Sequence, residues 1–193
     1  MQLLAFILIY PLLWVISILP HHIFYGFSNV VYFLVYRIIG YRKDVVRNNL
    51  ELVFPNKRKE ELTAIEKGFY HHMCDMFLEM VKGMNLSKEA FRKKYNVLNA
   101  EVLREIEKEK SVLILCSHYA NWEWNVSINN YVESKGYAVY QKISNSYFDK
   151  LVRKIRAKWN TSLISQQETT KTVIRNHKNN IPAIYGMVSD QSP

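Results

Sequence analysis

The stretch SVLILCSHYANWEW, residues 111–124, decides the fold. Its first half, Ser111 to Ser117, is a continuous apolar run of strand length. Continuous apolarity, as opposed to alternation, predicts a strand buried on both faces, as in a parallel sheet. Residues 121–134 then read as a helix. Further along, Tyr137 to Ile143, Thr161 to Ser165 and Pro182 to Val188 read as strands, with helices over residues 146–159 and 168–178. Four strands alternating with helices predict an α/β domain with a mixed, mainly parallel sheet flanked by helices.

Upstream of the strand the pattern is helical. Residues 44–55 form a short helix closed by Pro55. From Lys59 to Lys82, Leu62, Ile65, Phe69, Met73, Met76, Phe77 and Met80 recur at helical spacing. Residues 87–94 and 99–109 read as two more helices. The charge run Arg104 to Lys110 is expected to be a solvated helix face. There is no internal repeat, no Gly/Ser linker and no Gly-rich phosphate loop.

Charge is distributed unevenly. Lys and Arg number 26 against 17 Asp and Glu, a formal net charge of +9, and 49% of residues are hydrophobic. That composition excludes a disordered or collagen-like chain and favours an anionic partner. Yet residues 1–36 contain no Asp, Glu, Lys or Arg. MQLLAFILIYPLLWVISIL, residues 1–19, is long enough to cross a hydrocarbon core, which needs roughly 20 apolar residues. It lacks the basic start and small-residue cleavage site of a signal peptide. It is therefore expected to anchor the chain in a membrane. The second apolar run, Ile23 to Ile39, is expected to be interfacial, re-entrant or packed on the body. The first cations, Arg37, Arg42, Lys43 and Arg47, follow the apolar block, which predicts a body on the cytoplasmic side. Residues 1–40 thus read as the anchor and 41–193 as the catalytic body. Cys74 and Cys116 are too few for a disulfide framework, and a reduced state is expected.

The chemistry centres on the strand end. Ligands bind beyond the carboxyl ends of strands in open α/β sheets, and His118 sits at such an end. Glu123 lies five residues on. The two side chains can meet only if His118 is in the turn and Glu123 in the first helical turn, with Asn121 as N-cap. A carboxylate on one imidazole nitrogen would fix the tautomer and leave the other nitrogen to take a proton from a hydroxyl. The spacing by itself carries no weight, since about 0.5 such matches arise by chance in a chain of this composition. Its position after the clearest strand is what counts.

SHYANWEW (117–124) resembles the His-x4-Asp/Glu block of the bacterial lipid A biosynthesis late acyltransferases, the lauroyl/myristoyl type. VRNNLELVFPNKRKEEL (46–62) and FLEMVK (77–82) are similar to the family's segment before that block. VYQKISNSYFDKLVRKIRAKWNTSLIS (139–165) resembles its Val-Tyr-Arg-Pro, Asn-Pro-x-x-Asp and Arg-x-Arg region, and VSDQSP (188–193) its Asp-Gln loop. The order matches along nearly the whole chain. The resemblance implies a glycerolipid-acyltransferase-like fold behind a membrane-associated helix. It implies transfer of a fatty acyl chain from acyl carrier protein to a hydroxyl of a lipid A precursor at the inner membrane. His118 would be the general base and Glu123 its holder. Arg156 would stabilise an oxyanion or hold a phosphate, Asp190 would order the site, and Asn121 would position the turn. No cofactor or metal is implied. Family members continue past the Asp-Gln loop, so the chain is expected to be an N-terminal piece.

The chain departs from the pattern at two places. Tyr140-Gln141-Lys142 stands where Tyr-Arg-Pro is usual, so Lys142 offers a point charge instead of a guanidinium fork. Asn145-Ser146 replaces Asn-Pro. The residues alone also leave open a membrane-tethered protein that binds anionic lipid, an inactive relative, another glycolipid acceptor, and acyl-coenzyme A as donor. A metal at His71, Cys74 and Asp75 is disfavoured because no second ligand cluster accompanies them. Nothing resembles a nucleic-acid stacking platform or a helix-turn-helix, so nucleic acid is not expected as a partner.

Overall fold

The computed structural model describes residues 2–190. Of the loop 188–193, Gln191, Ser192 and Pro193 lie outside the described residues. The chain divides into two compact units. One is Leu13–Lys82; the other joins the start of the chain, up to Leu12, to everything from Gly83 onward.

The first unit is helical. It holds the end of α1 (Gln2–Ile18 in full), then α2 (His21–Tyr32) continued by a π-helical stretch (Phe33–Ile39), α3 (Lys43–Val53) and α4 (Lys59–Lys82). Gly40, at φ 65°, ends the π-helical stretch in the left-handed conformation that glycine adopts without strain. Phe24, Ser28 and Tyr36, spaced by four and eight residues, are buried. Polar groups on that side are satisfied by α4. Ser28 Oγ donates to Asp75 at 2.5 Å, Tyr25 Oη donates to Glu79 at 2.6 Å, and the Tyr32 and His71 rings stack at 4.0 Å. His71 and Asp75 are thereby engaged by α2. Among the described residues, His21–Ile39 is long and apolar enough to cross a membrane, and α1 is a slightly shorter apolar helix of 17 residues.

The second unit carries the sheet. After α5 (Lys88–Arg92) and α6 (Ala100–Glu107) come β1 (Val112–Cys116), a 3-10 helix (Trp122–Asn130), β2 (Lys135–Tyr140) and α7 (Ser146–Arg156). A 3-10 turn (Ala157–Trp159), β3 (Thr161–Ser165), α8 (Gln166–Lys178) and β4 (Ala183–Val188) follow. The strand order is β1-β4-β2-β3 and every pairing is parallel. The expected α/β class holds, with a fully parallel four-stranded sheet.

Three local expectations change. β1 is not buried on both faces: Leu113 and Leu115 are 56% and 65% exposed. The cause is its place at the sheet edge, while α8 packs on β2 and β3. Glu107 is buried, not solvated. Its carboxylate accepts the N–H groups of Glu133 (3.1 Å) and Ser134 (2.8 Å), just ahead of β2. Burial pushes its pKa up, but these hydrogen bonds outweigh that and leave it below the ordinary value. Finally, the segment after β1 is a 3-10 helix of nine residues, an unusual length for this form. With three residues per turn, Glu123, Val126 and Asn129 fall in one column and Trp122, Asn125 and Ile128 in the next. All six line the same cavity.

A small aromatic core holds this end of the unit. Phe91 packs against Trp124 and Trp159 with ring centroids 4.7 and 5.2 Å apart, and Leu86 closes the cluster. Lys158 ties the segment before α5 to this core by donating to the carbonyls of Gly83, Met84 and Leu86 at 3.2, 3.2 and 2.5 Å. Burial lowers its pKa.

Candidate active site

The site forms where β1 and β4, neighbours and parallel, end together. Cys116 pairs with Val188, and the ladder runs one step further through Ser189 N–H to Cys116 O at 2.9 Å. His118 and Asp190, each two residues past its strand, are therefore brought side by side. Asp190 holds His118 twice. Its Oδ2 accepts the His118 backbone N–H at 2.9 Å, and its Oδ1 lies 2.8 Å from the ring Nδ1. Those bonds, the backbone one first, keep the Asp190 carboxyl below the usual carboxylate range. A carboxylate can only accept, so Nδ1 carries the proton and Nε2 presents its lone pair.

Glu123 does not touch His118. It is 97% buried and takes a two-pronged ion pair from Arg156: Nε to Oε2 at 2.8 Å and a terminal nitrogen to Oε1 at 2.5 Å. The expected His118–Glu123 contact is thus replaced by two pairs, His118–Asp190 and Glu123–Arg156. The physical reason is reach. Glu123 sits in a column of the 3-10 helix that lines the cavity, where Arg156 of α7 takes up its carboxylate. Trp122 stands between the pairs, with its ring 4.8 Å from the His118 ring and 6.0 Å from the Arg156 guanidinium carbon.

Each partner is delivered by ordinary local chemistry. Asn145 caps α7 by accepting the N–H groups of Tyr147 and Phe148, at 3.0 and 3.4 Å. Asp149 in its first turn accepts Ile143 N–H at 2.9 Å, which folds the preceding loop back. Arg153, Lys154 and Arg156 occupy the last turn, where cations complement the helix dipole. The turn between β1 and Trp122 is tight enough to hold Ala120 at φ 49°, a costly conformation for a residue with a Cβ. Asn121 occupies the N-cap position, but its side chain makes no capping bond. Lys142 is exposed in the loop after β2 and takes no part in the polar contacts of the two pairs.

Beside Glu123 and Arg156 lies a cavity of about 190 Å³. One face of the sheet forms its floor: Ile114 and Cys116, Ile184 and Gly186, Ala138, and Leu163. An apolar engineered cavity of about 150 Å³ stays dry and binds benzene, so this one is large enough for hydrocarbon. Tyr95 adds to its wall and donates to Asn125 Oδ1. Among the described residues no group of His, Cys, Asp and Glu is arranged to hold a metal.

What sequence reasoning missed is the partner of His118. In sequence Asp190 reads only as a site-ordering residue, and the signal for its role is the β1–β4 pairing, which links residues 72 positions apart. No curated protein matches the chain by overall sequence. The family model for the bacterial lipid A biosynthesis acyltransferases matches residues 2–192, and the chain therefore belongs to that family of acyltransferase enzymes.

Proposed function

We propose that the protein passes a fatty acyl chain from acyl carrier protein to a hydroxyl of a lipid A precursor at the cytoplasmic face of the inner membrane, with His118 as general base. The observation that carries this reading is the double hold of Asp190 on His118. It leaves Nε2 basic and aimed away from the protein's own carboxylate, with no enzyme nucleophile needed. Nε2 takes the proton of the acceptor hydroxyl, and the oxygen attacks the donor's thioester carbonyl. The tetrahedral intermediate collapses, the C–S bond breaks, and the imidazolium returns the proton to the leaving thiolate. The ester bond formed replaces the thioester bond lost.

Arg156 serves the developing oxyanion. Two of its five N–H groups are used by Glu123, which leaves three donors in a fixed plane. Glu123 is then the residue that positions Arg156. The apolar cavity accepts part of the acyl chain. The net charge of +9 suits an acidic carrier protein and phosphorylated lipid.

The test is transfer of a labelled acyl group from acyl carrier protein to a lipid A precursor, with acyl-coenzyme A run as a parallel donor. His118→Ala should lose about 10²- to 10⁴-fold in rate. Transfer unchanged in both His118→Ala and Asp190→Asn would overturn the mechanism. Transfer from acyl-coenzyme A alone would replace the donor.

A further inference from the structure

The net charge of +9 is not spread evenly along the chain. Residues 135–189 hold ten Lys and Arg against two Asp and Glu, so this stretch carries nearly all of the excess. Both acids are already engaged. Asp149 is buried and accepts the Ile143 N–H, and Glu168 caps α8 through Ser165. α7 gathers much of the charge. Lys150, Arg153 and Lys154 are exposed and stand at i, i+3 and i+4, which places them on one face. The helix turns Leu151 and Val152 inward, where they are buried. Like charges at such spacings weaken a helix. Among the described residues neither Lys150 nor Lys154 has an ion-pair partner to offset this.

Two further cations adjoin this face. The loop carrying exposed Lys142 is folded back on the first turn of α7 by the bond from Ile143 to Asp149. Lys171 is exposed on α8. Hydrogen bonds from Ser165 hold the Glu168 carboxyl below its ordinary value, and the charges of Arg153 and Lys171 add to that from close by. The face also borders the cavity. The Arg153 guanidinium carbon lies 5.4 Å from the centre of the Tyr140 ring, and Tyr140 is part of the cavity wall. Arg156, three residues further along the same helix, lines the cavity too. A partner seated on the cations of α7 is therefore about one side chain away from the place where the acyl chain enters.

We propose that the face of α7 bearing Lys150, Arg153 and Lys154, with Lys142 and Lys171 beside it, is the docking surface for the acidic carrier protein that delivers the acyl chain. The face itself favours an acidic protein over a lipid leaflet. A helix that enters a leaflet combines its cations with exposed Trp, Phe or Leu. α7 exposes cations and no large apolar side chain. Complementary charge of this kind steers encounter and fixes register, and it weakens as salt screens it. Only the identity of the partner rests on the acyltransferase reading. Binding is measured without transfer, so the two readings fail separately.

The test is binding of fluorescently labelled acyl carrier protein to the full chain in detergent, followed by anisotropy. At about 50 mM salt, where exposed charges are weakly screened, Lys150→Glu/Lys154→Glu should weaken binding about tenfold. Lys108→Glu/Lys110→Glu makes the same change in net charge ahead of β1, at the sheet edge opposite β3, and should weaken binding by less than about threefold. A loss in the α7 variant no greater than in this control overturns the docking surface, and so does a native chain that fails to bind the carrier. Retention on vesicles containing anionic phospholipid is measured in parallel. If the α7 variant loses retention while carrier binding holds, the face meets the membrane and the proposal falls. Carrier binding that depends on α7 without any acyl transfer would keep the docking surface and remove the acyltransferase mechanism. If Lys150→Glu/Lys154→Glu melts early, Lys150→Gln/Lys154→Gln is read in its place, with the same outcomes.

Discussion

The Glu123–Arg156 pair makes the sharpest quantitative prediction. Glu123 is 3% exposed and Arg156 17%, and they share two hydrogen bonds of 2.8 and 2.5 Å. Arg156→Met keeps the stem but strands a buried carboxylate. Removing one partner of a buried pair costs about 3–5 kcal/mol, because the survivor is left desolvated and uncompensated. For a domain of this size that lowers the melting temperature by roughly 10 °C. Glu123→Gln leaves a less buried cation and should cost less, about 1–3 kcal/mol. In the double variant no buried charge remains, so its cost should fall short of the sum by about 2 kcal/mol. Urea unfolding of the four proteins supplies the cycle, and acyl transfer is measured on the same samples. The proposal that Arg156 faces the oxyanion requires the double variant to regain stability without regaining transfer. Single-variant costs that add within about 0.5 kcal/mol would refute the pairing. Recovery of transfer along with stability would make the pair a scaffold only.

Asp190→Asn should slow transfer by at least tenfold with little change in KM, since it loosens the ring of His118 and not the lipid contacts; steady-state kinetics checks this. The Asp190 carboxyl is held below its ordinary value of 3.8. A depressed acid stabilises the folded state above its unfolded pKa and loses that contribution as pH falls through the folded value. Its hold on His118 should therefore be intact throughout the neutral range and fail only below about pH 3.8, which acid unfolding of the native chain and Asp190→Asn would show as curves that converge there. Gly136→Ala should destabilise by about 1–3 kcal/mol, because a Cβ there would collide with the buried side-chain amide of Asn129; thermal melting reads it. Ala138→Leu fills the cavity floor and should shift the preferred donor to shorter acyl chains, read by competition between donors of two lengths.

The layout of the fold was legible because its signals are local. The unbroken run Val112 to Cys116 reads as a strand without reference to any partner, and helical spacing from Lys59 to Lys82 matches α4 to the residue. What stayed hidden depends on long-range pairing. Leu113 and Leu115 look buried in sequence, and only the strand order reveals an edge. Residues 121–134 have no local signal that separates a 3-10 helix from an α-helix, yet that choice decides which way Glu123 turns. Glu107 sits in a run of charges, and nothing nearby announces that residues 133 and 134 need an acceptor. In the apolar leader, counting residues favours the first run as a span. What it does not show is that Ile23 to Ile39, despite Gly26, Ser28 and Asn29, is one continuous helix with His21 and His22 and also reaches spanning length.

The same logic explains why the His118 partner lay far along the chain. A carboxylate five residues away has to reach across a turn, whereas one at the end of the neighbouring parallel strand is set beside the imidazole by the ladder itself. The order β1-β4-β2-β3 makes this dependence strict. β1 and β2 do not pair with each other, and β4, last in sequence, fills the gap between them. Until β4 inserts, β1 has no hydrogen-bonded neighbour, the cavity floor lacks Ile184 and Gly186, and His118 has no carboxylate. Closing a loop of that length before any contact compensates for it is slow. The insertion that completes the sheet is therefore the event that assembles the base, and a substitution that weakens β4 pairing should cost activity through Asp190 before it costs the helices of the first unit.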